Sequence, residues 1–176
     1  RRQVYYLPNA PVRASPRKMR MVGSAPTLSQ IREAVSDAGS PGEALQAAMR
    51  VIASNHPHYE WVGVYVLSGN RLHLEAFVGA GTEHTVIPVG KGVCGTAVAT
   101  RSNQIIEDVR ELENYIACSP TVRSEIVVLL WDGDEIVGQI DADCDLVGAF
   151  DAVDEALLTE VGDVLAPLAR QLVQAR

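Results

Sequence analysis

The sequence predicts an α+β fold: an antiparallel sheet with helices from the two ends of the chain packed on one face. Two observations carry this. Strong helical patterning falls at the two ends of the chain, and the alternating, strand-like segments between them come in hairpin pairs.

Taken in order, residues 1–25 hold Pro8, Pro11 and Pro16 without sustained periodicity. They read as a disordered basic leader or extension, with one folded domain over residues 26–176. Helical character starts at Thr27. Thr27 with Gln30, and Ser40 with Glu43, have the spacing of capping boxes, and Pro41 suits a first helical position. Leu45, Ala48, Met49 and Ile52 share one helical face, and His56-Pro57-His58 closes that helix. Glu60 to Leu67 alternates as a strand, with Trp61, Gly63 and Tyr65 on one face. Ser68-Gly69-Asn70 turns it into a return strand from Arg71 to Val78. A short strand is expected from Thr85 to Val89, a short helix from Gly92 to Thr100, and a short strand from Gln104 to Ile106. Glu107 to Arg123 has no period and reads as a long loop, a length that usually marks function. Ser124 to Trp131 and Glu135 to Asp143 form a second hairpin around Asp132-Gly133-Asp134. Asp151 opens the last helix, whose Leu158, Val161, Leu165, Leu168 and Leu172 make a seam. Packing on the sheet is the simplest use of that seam, and a homodimer contact is the alternative.

Composition narrows the function. The 176 residues carry a net charge of -7, yet Arg1, Arg2, Arg13, Arg17, Lys18 and Arg20 all lie in an N-terminal stretch without acids. The remaining domain is therefore more acidic than the total, which argues against nucleic acid as a partner. No apolar run is long enough to span a membrane, and no secretory signal layout is present. Three cysteines, Cys94, Cys118 and Cys144, contain no CxxC pair. Free or redox-active thiols in a reducing, cytoplasmic compartment fit this pattern better than a disulfide framework.

The chemistry-bearing residues concentrate between Pro88 and Cys144. Cys118 lies in the long loop, where a thiol can be exposed enough to react. Cys94 sits between Gly92 and Gly95 near a helix N-terminus, which favours thiolate. Cys144 follows the last expected strand and reads as inert. Asp141 and Asp143 are two apart and share a strand face. Were Glu125 on that face, three carboxylates would converge. Repulsion and burial would then keep one protonated, while ionised partners bind an ammonium. Trp61 and Tyr65 supply an apolar wall. His56, His58, His73 and His84 show no metal-ligand spacing, so no metal is expected.

Five stretches in order then resemble one family. They are Pro88-Val89-Gly90-Lys91-Gly92-Val93-Cys94-Gly95-Thr96-Ala97, Ile106-Glu107-Asp108-Val109, Ile116-Ala117-Cys118, Ser124-Glu125-Ile126-Val127, and Gly138-Gln139-Ile140-Asp141-Ala142-Asp143. Together they resemble the free methionine-(R)-sulfoxide reductases, single-domain enzymes of the GAF fold. The resemblance implies free methionine sulfoxide as substrate and no bound cofactor. It also implies Cys118 as the attacking thiol, which becomes a sulfenic acid, and Glu125, Asp141 and Asp143 as the carboxylates that hold the amino group and assist proton transfer. Trp61 and Tyr65 match aromatics near the methyl-sulfinyl group. A second cysteine would form a disulfide that thioredoxin, or another external thiol, reduces. His84 stands where many members carry the resolving cysteine. Cys94 is the natural substitute, Cys144 a further candidate, and a one-thiol cycle stays open. The reading from a different class is a non-catalytic GAF module that binds a small molecule or senses redox state.

Overall fold

The structure is a computed structural model, and it describes residues 23–112 and 120–176. Two helices come first, α1 (Ser24–Ser36) and α2 (Pro41–Asn55), followed by a hairpin of β1 (Trp61–Ser68) and β2 (Arg71–Val78). Next come β3 (Val86–Pro88), α3 (Gly92–Thr100) and β4 (Gln104–Ile106). A second hairpin of β5 (Ser124–Asp132) and β6 (Glu135–Cys144) leads to the long α4 (Ala152–Gln174). The strands form one six-stranded sheet in the order β3-β2-β1-β6-β5-β4, and every pairing is antiparallel.

Both expected hairpins are present, as are the central helix and the strand from Gln104 to Ile106. Three details differ. Thr27 caps nothing: α1 starts at Ser24 with Gly23 in the cap position. Thr27 is instead buried inside the helix, where its hydroxyl bonds His56 Nε2 and accepts from Asn55 Nδ2, tying α1 to the end of α2. This start lies ahead of the boundary expected after residue 25, and residues 1–22 of the basic leader lie outside the described residues. The strand expected from Thr85 to Val89 is shorter, Val86–Pro88, because only this part pairs with β2. Cys144 is the last residue of β6 rather than a residue beyond it, since it pairs with Ser124. The Ser40 cap is real: its side chain accepts from the Glu43 N–H.

Strand alternation sorts side chains onto two faces. On one face Val62, Val64, Val66, Ile126, Val128, Leu130, Ile140 and Ala142 meet the apolar sides of α1, α2 and α4. Leu158, Val161 and Leu165 of the α4 seam are fully buried in this core, and Leu168 and Leu172 pack against it. The seam is thus used within the chain. Asp151 and Asp154 form a capping box at the start of α4, and Asp154 Oδ1 also accepts from the buried Tyr59 hydroxyl. The opposite face is covered as well. There α3 places Val93, Cys94, Ala97 and Val98 over Trp61, Tyr65, Leu72, Val127 and Leu129.

Two one-residue irregularities interrupt the ladders. Glu75 is extra in β2, because Val64 pairs with Ala76 while Tyr65 pairs with Leu74. Val137 is extra in β6, because Trp131 pairs with Ile136 while Leu130 pairs with Gly138. Such β-bulges shift the register of everything beyond them. Among the described residues, no helix is long and apolar enough to cross a membrane.

Candidate active site

The α3 face of β5, β6 and β1 carries the acids. Glu125 pairs directly with Asp143, Asp143 with Trp61, and Asp141 with both Gly63 and Val127. All three carboxylates therefore share one face, at the centre of the sheet. They are almost fully removed from solvent, Glu125 at 3 %, Asp141 at 0 % and Asp143 at 2 % exposure. A solvated strand end, the ordinary setting for paired acids, is excluded.

Cys94 reaches this group from above. Its Sγ lies 4.0 Å from Glu125 Oε1, and one donor atom each of Cys94, Glu125 and Asp141 falls within 4.8 Å of the others. Gly95 explains the approach. A Cβ there would stand 2.4 Å from the Pro88 carbonyl oxygen, and the Gly90 N–H bonds the Gly95 carbonyl at 2.8 Å. Only glycine lets α3 sit this tightly on its own lead-in turn, and that seat aims the preceding cysteine at the acids.

The electrostatics follow from burial. Desolvation, then Asp141 and Asp143, push the Glu125 pKa well above the usual carboxylate range. Desolvation and Asp141 do the same to Asp143. Asp141 is pushed up to about 7 by burial, a rise opposed by the weak thiol donor of Cys94. Among the described residues, neither oxygen of Asp141 or Asp143 has a hydrogen-bond partner of ordinary geometry. Buried polar groups are nearly always satisfied, so these acids are built to receive something. A donor-rich cation such as an ammonium group meets that need. A second set of close donors, Glu60, Cys144 and Asp145, lies at the end of β6, and neither set contains a histidine.

Beside Asp143 opens a cavity of about 370 Å³, lined by Glu60, Trp61, the 80–82 turn and residues 120–122. Trp61 forms its aromatic wall. The indole N–H donates to the Ala80 carbonyl, the ring stacks on Phe77, and its far edge overlies Gly63, where a Cβ would meet it at 2.4 Å. Tyr65 is buried deeper, 6.4 Å from Trp61 between ring centroids, and its hydroxyl donates to the His84 carbonyl.

Residues 113–119 lie outside the described residues, and Cys118 is among them. The base of its loop is well defined. The Val109 N–H donates to the Arg123 carbonyl at 2.8 Å, and the Arg123 guanidinium pairs with Asp108. Pro120, two positions after Cys118, already lines the cavity. Cys144 points the other way: it is buried among the helix-facing side chains, and burial pushes its thiol pKa up. The sheet itself separates Cys144 from the acids.

Two residues at this site escaped the sequence reading. Glu60 lines the cavity beside Trp61. Gln139 is fully buried on the acid-bearing face of β6, and the sequence reading named it within a stretch without giving it a role. Its two-residue spacing from Asp141 was the available signal.

A family model described as a GAF domain matches residues 38–168. The chain belongs to the GAF-domain family. Within that family it is similar to proteins named free methionine-R-sulfoxide reductase. The Escherichia coli protein is 42% identical over 101 residues, which cover 57% of this chain and 61% of that protein. The solved type II enzyme from Thermoplasma acidophilum matches with a TM-score of 0.73 at 40% identity, covering 74% of this chain and 93% of that one. The enzyme from Neisseria meningitidis, solved in complex with its substrate, matches with a TM-score of 0.78 at 32% identity, covering 87% and 92%. The match thus spans less than two thirds of the Escherichia coli relative's length and nearly all of the two solved GAF domains.

Proposed function

We propose that this GAF domain reduces free methionine-R-sulfoxide to methionine. The observation that carries the reading is the trio of buried carboxylates, two of them without an ordinary hydrogen-bond partner among the described residues, set between a cysteine and an aromatic-walled cavity. An amino acid bearing a sulfoxide offers the complementary groups: an ammonium for ionised acid, an oxygen for protonated acid, and a methyl group for Trp61.

Three coupled acids with raised pKa values keep a proton at neutral pH. In the proposed reaction Cys118 attacks the sulfoxide sulfur. One acid of the trio protonates the sulfoxide oxygen, the S–O bond breaks as that oxygen passes to the Cys118 sulfur, and methionine leaves with Cys118 as a sulfenic acid. Cys94 then condenses with it, forming the disulfide and releasing water. Thioredoxin, or another dithiol, reduces that disulfide by exchange. The position of Cys94 over the acids favours it as resolving thiol. Cys144, across the sheet, is disfavoured for the same task.

The test is methionine released from free L-methionine-(R)-sulfoxide, with dithiothreitol and with the thioredoxin system, in wild type and in Cys118→Ser. Turnover in wild type that vanishes in Cys118→Ser supports the enzyme. Folded, reduced wild type that binds the sulfoxide without releasing methionine would make the domain a binding module instead.

A further inference from the structure

Gln139 is a buried amide for which the reading above has no use. It is fully buried, and both Nε2 and Oε1 lack a hydrogen-bond partner. Its cross-strand partners are Tyr65 and Leu129, in the apolar layer beneath α3. Along β6, on the same face, the next side chain is Asp141, whose two oxygens meet, among the described residues, only the weak thiol donor of Cys94. Two residues of one strand face stand about 7 Å apart along the strand, a gap within the combined reach of a glutamine and an aspartate side chain. Two adjacent orphans, one rich in N–H and one in oxygen, are each other's natural partners, because leaving either unsatisfied is costly.

We infer that Gln139 is a positioning residue that donates its amide N–H to the ionised Asp141 carboxylate and thereby decides which acid of the trio stays charged. Gln139 is itself neutral, so it biases the proton's location without adding charge. With Asp141 held as the anion that receives the ammonium, the proton is left to Glu125 and to Asp143, which lines the cavity. The groups facing Asp141 are Glu125 on β5, Asp143 on β6, Cys94 on α3 and Tyr65 on β1, with His84 and Lys91 lining the small space at Cys94 and Glu125. Among these described groups none is an amide.

The inference deepens the proposed reductase reading and rests on it for its kinetic consequence, so the primary test uses no substrate. Protein labelled with 13C at aspartate Cγ is titrated in wild type and in Gln139→Met, with Asp141→Asn to assign the resonance. A donor to the anion predicts that the Asp141 midpoint rises by about one pH unit or more in Gln139→Met. An unchanged or lowered midpoint overturns the inference. Gln139→Leu serves if the methionine variant does not fold. In wild type alone, the Gln139 side-chain amide protons must shift with the Asp141 midpoint, and their indifference to it also overturns the inference. Should the protein prove to turn over the sulfoxide, the acid limb of kcat/KM moves up with that midpoint in the variant. A purely structural glutamine would change the melting temperature and leave both midpoints where they were. Failure of the reductase reading appears separately, as wild type without turnover.

Discussion

The two faces of β6 are made by the same strand and obey opposite rules. Ile140, Ala142 and Cys144 face the terminal helices and are packed among apolar side chains. Gln139, Asp141 and Asp143 face α3, and none of their side-chain polar atoms has an ordinary hydrogen-bond partner. Both sets are buried to the same degree. Burial therefore cannot distinguish them; satisfaction can. The helix face lowers the free energy of the fold, whereas the α3 face holds the chain in a state that a ligand would relieve. Stability and binding capacity are separated by the thickness of one strand.

The largest effect expected from breaking this contrast is on chemistry. Replacing Glu125 by Gln should lower turnover by about 10²–10⁴-fold, the usual range for loss of a positioned acid. The melting temperature of that variant at pH 8 should nevertheless equal or exceed that of wild type. A large loss of stability would mean that the acids are structural. The opposite face should respond in reverse. Ile140→Ala should cost about 2–5 kcal/mol in denaturant unfolding, with KM for the sulfoxide unchanged in the folded protein.

A smaller, graded test uses pH. The raised pKa values of Glu125, Asp141 and Asp143 mean that the native state keeps its protons above the range, near about 4, where unfolded carboxyls release them. The native state then binds more protons than the unfolded one, so this contribution to stability is full at acid pH. It falls as pH climbs from about 4 through about 7 and beyond. Urea midpoints taken across that range should decline in wild type and flatten in Glu125→Gln. Smallest of all should be Cys144→Ser, which should leave thioredoxin-supported turnover nearly intact, whereas Cys94→Ser should abolish it. A reversal of these two outcomes would place the resolving thiol on the wrong side of the sheet and sink the contrast.

Much of this was legible in the sequence because alternation is a local property. The two-residue spacing of Asp141 and Asp143 fixed their common face, and the turn residues at 68–70 and 132–134 announced both hairpins. The capping spacing at Thr27 misled, because the same residue type also serves a buried hydrogen bond to His56, and only the tertiary partner distinguishes the two uses. Gln139 was passed over because one amide among isoleucines and valines hardly changes a hydrophobic average. That Glu125 meets Asp143 was conditional on register, and register depends on an irregularity that has no sequence signature.

That irregularity is Val137. A hairpin zipped without interruption from the Asp132–Glu135 pair would set Glu125 opposite Ala142, on the face that meets the terminal helices. The one extra residue moves Glu125 to Asp143 and completes the trio. For anyone editing this chain, deleting Val137 would keep Glu125 opposite Asp143; the hazard is a change that draws Val137 into the ladder, which would drive a carboxylate into the hydrocarbon core and empty the acidic site in the same stroke. An algorithm that rewards ideal geometry would call that an improvement.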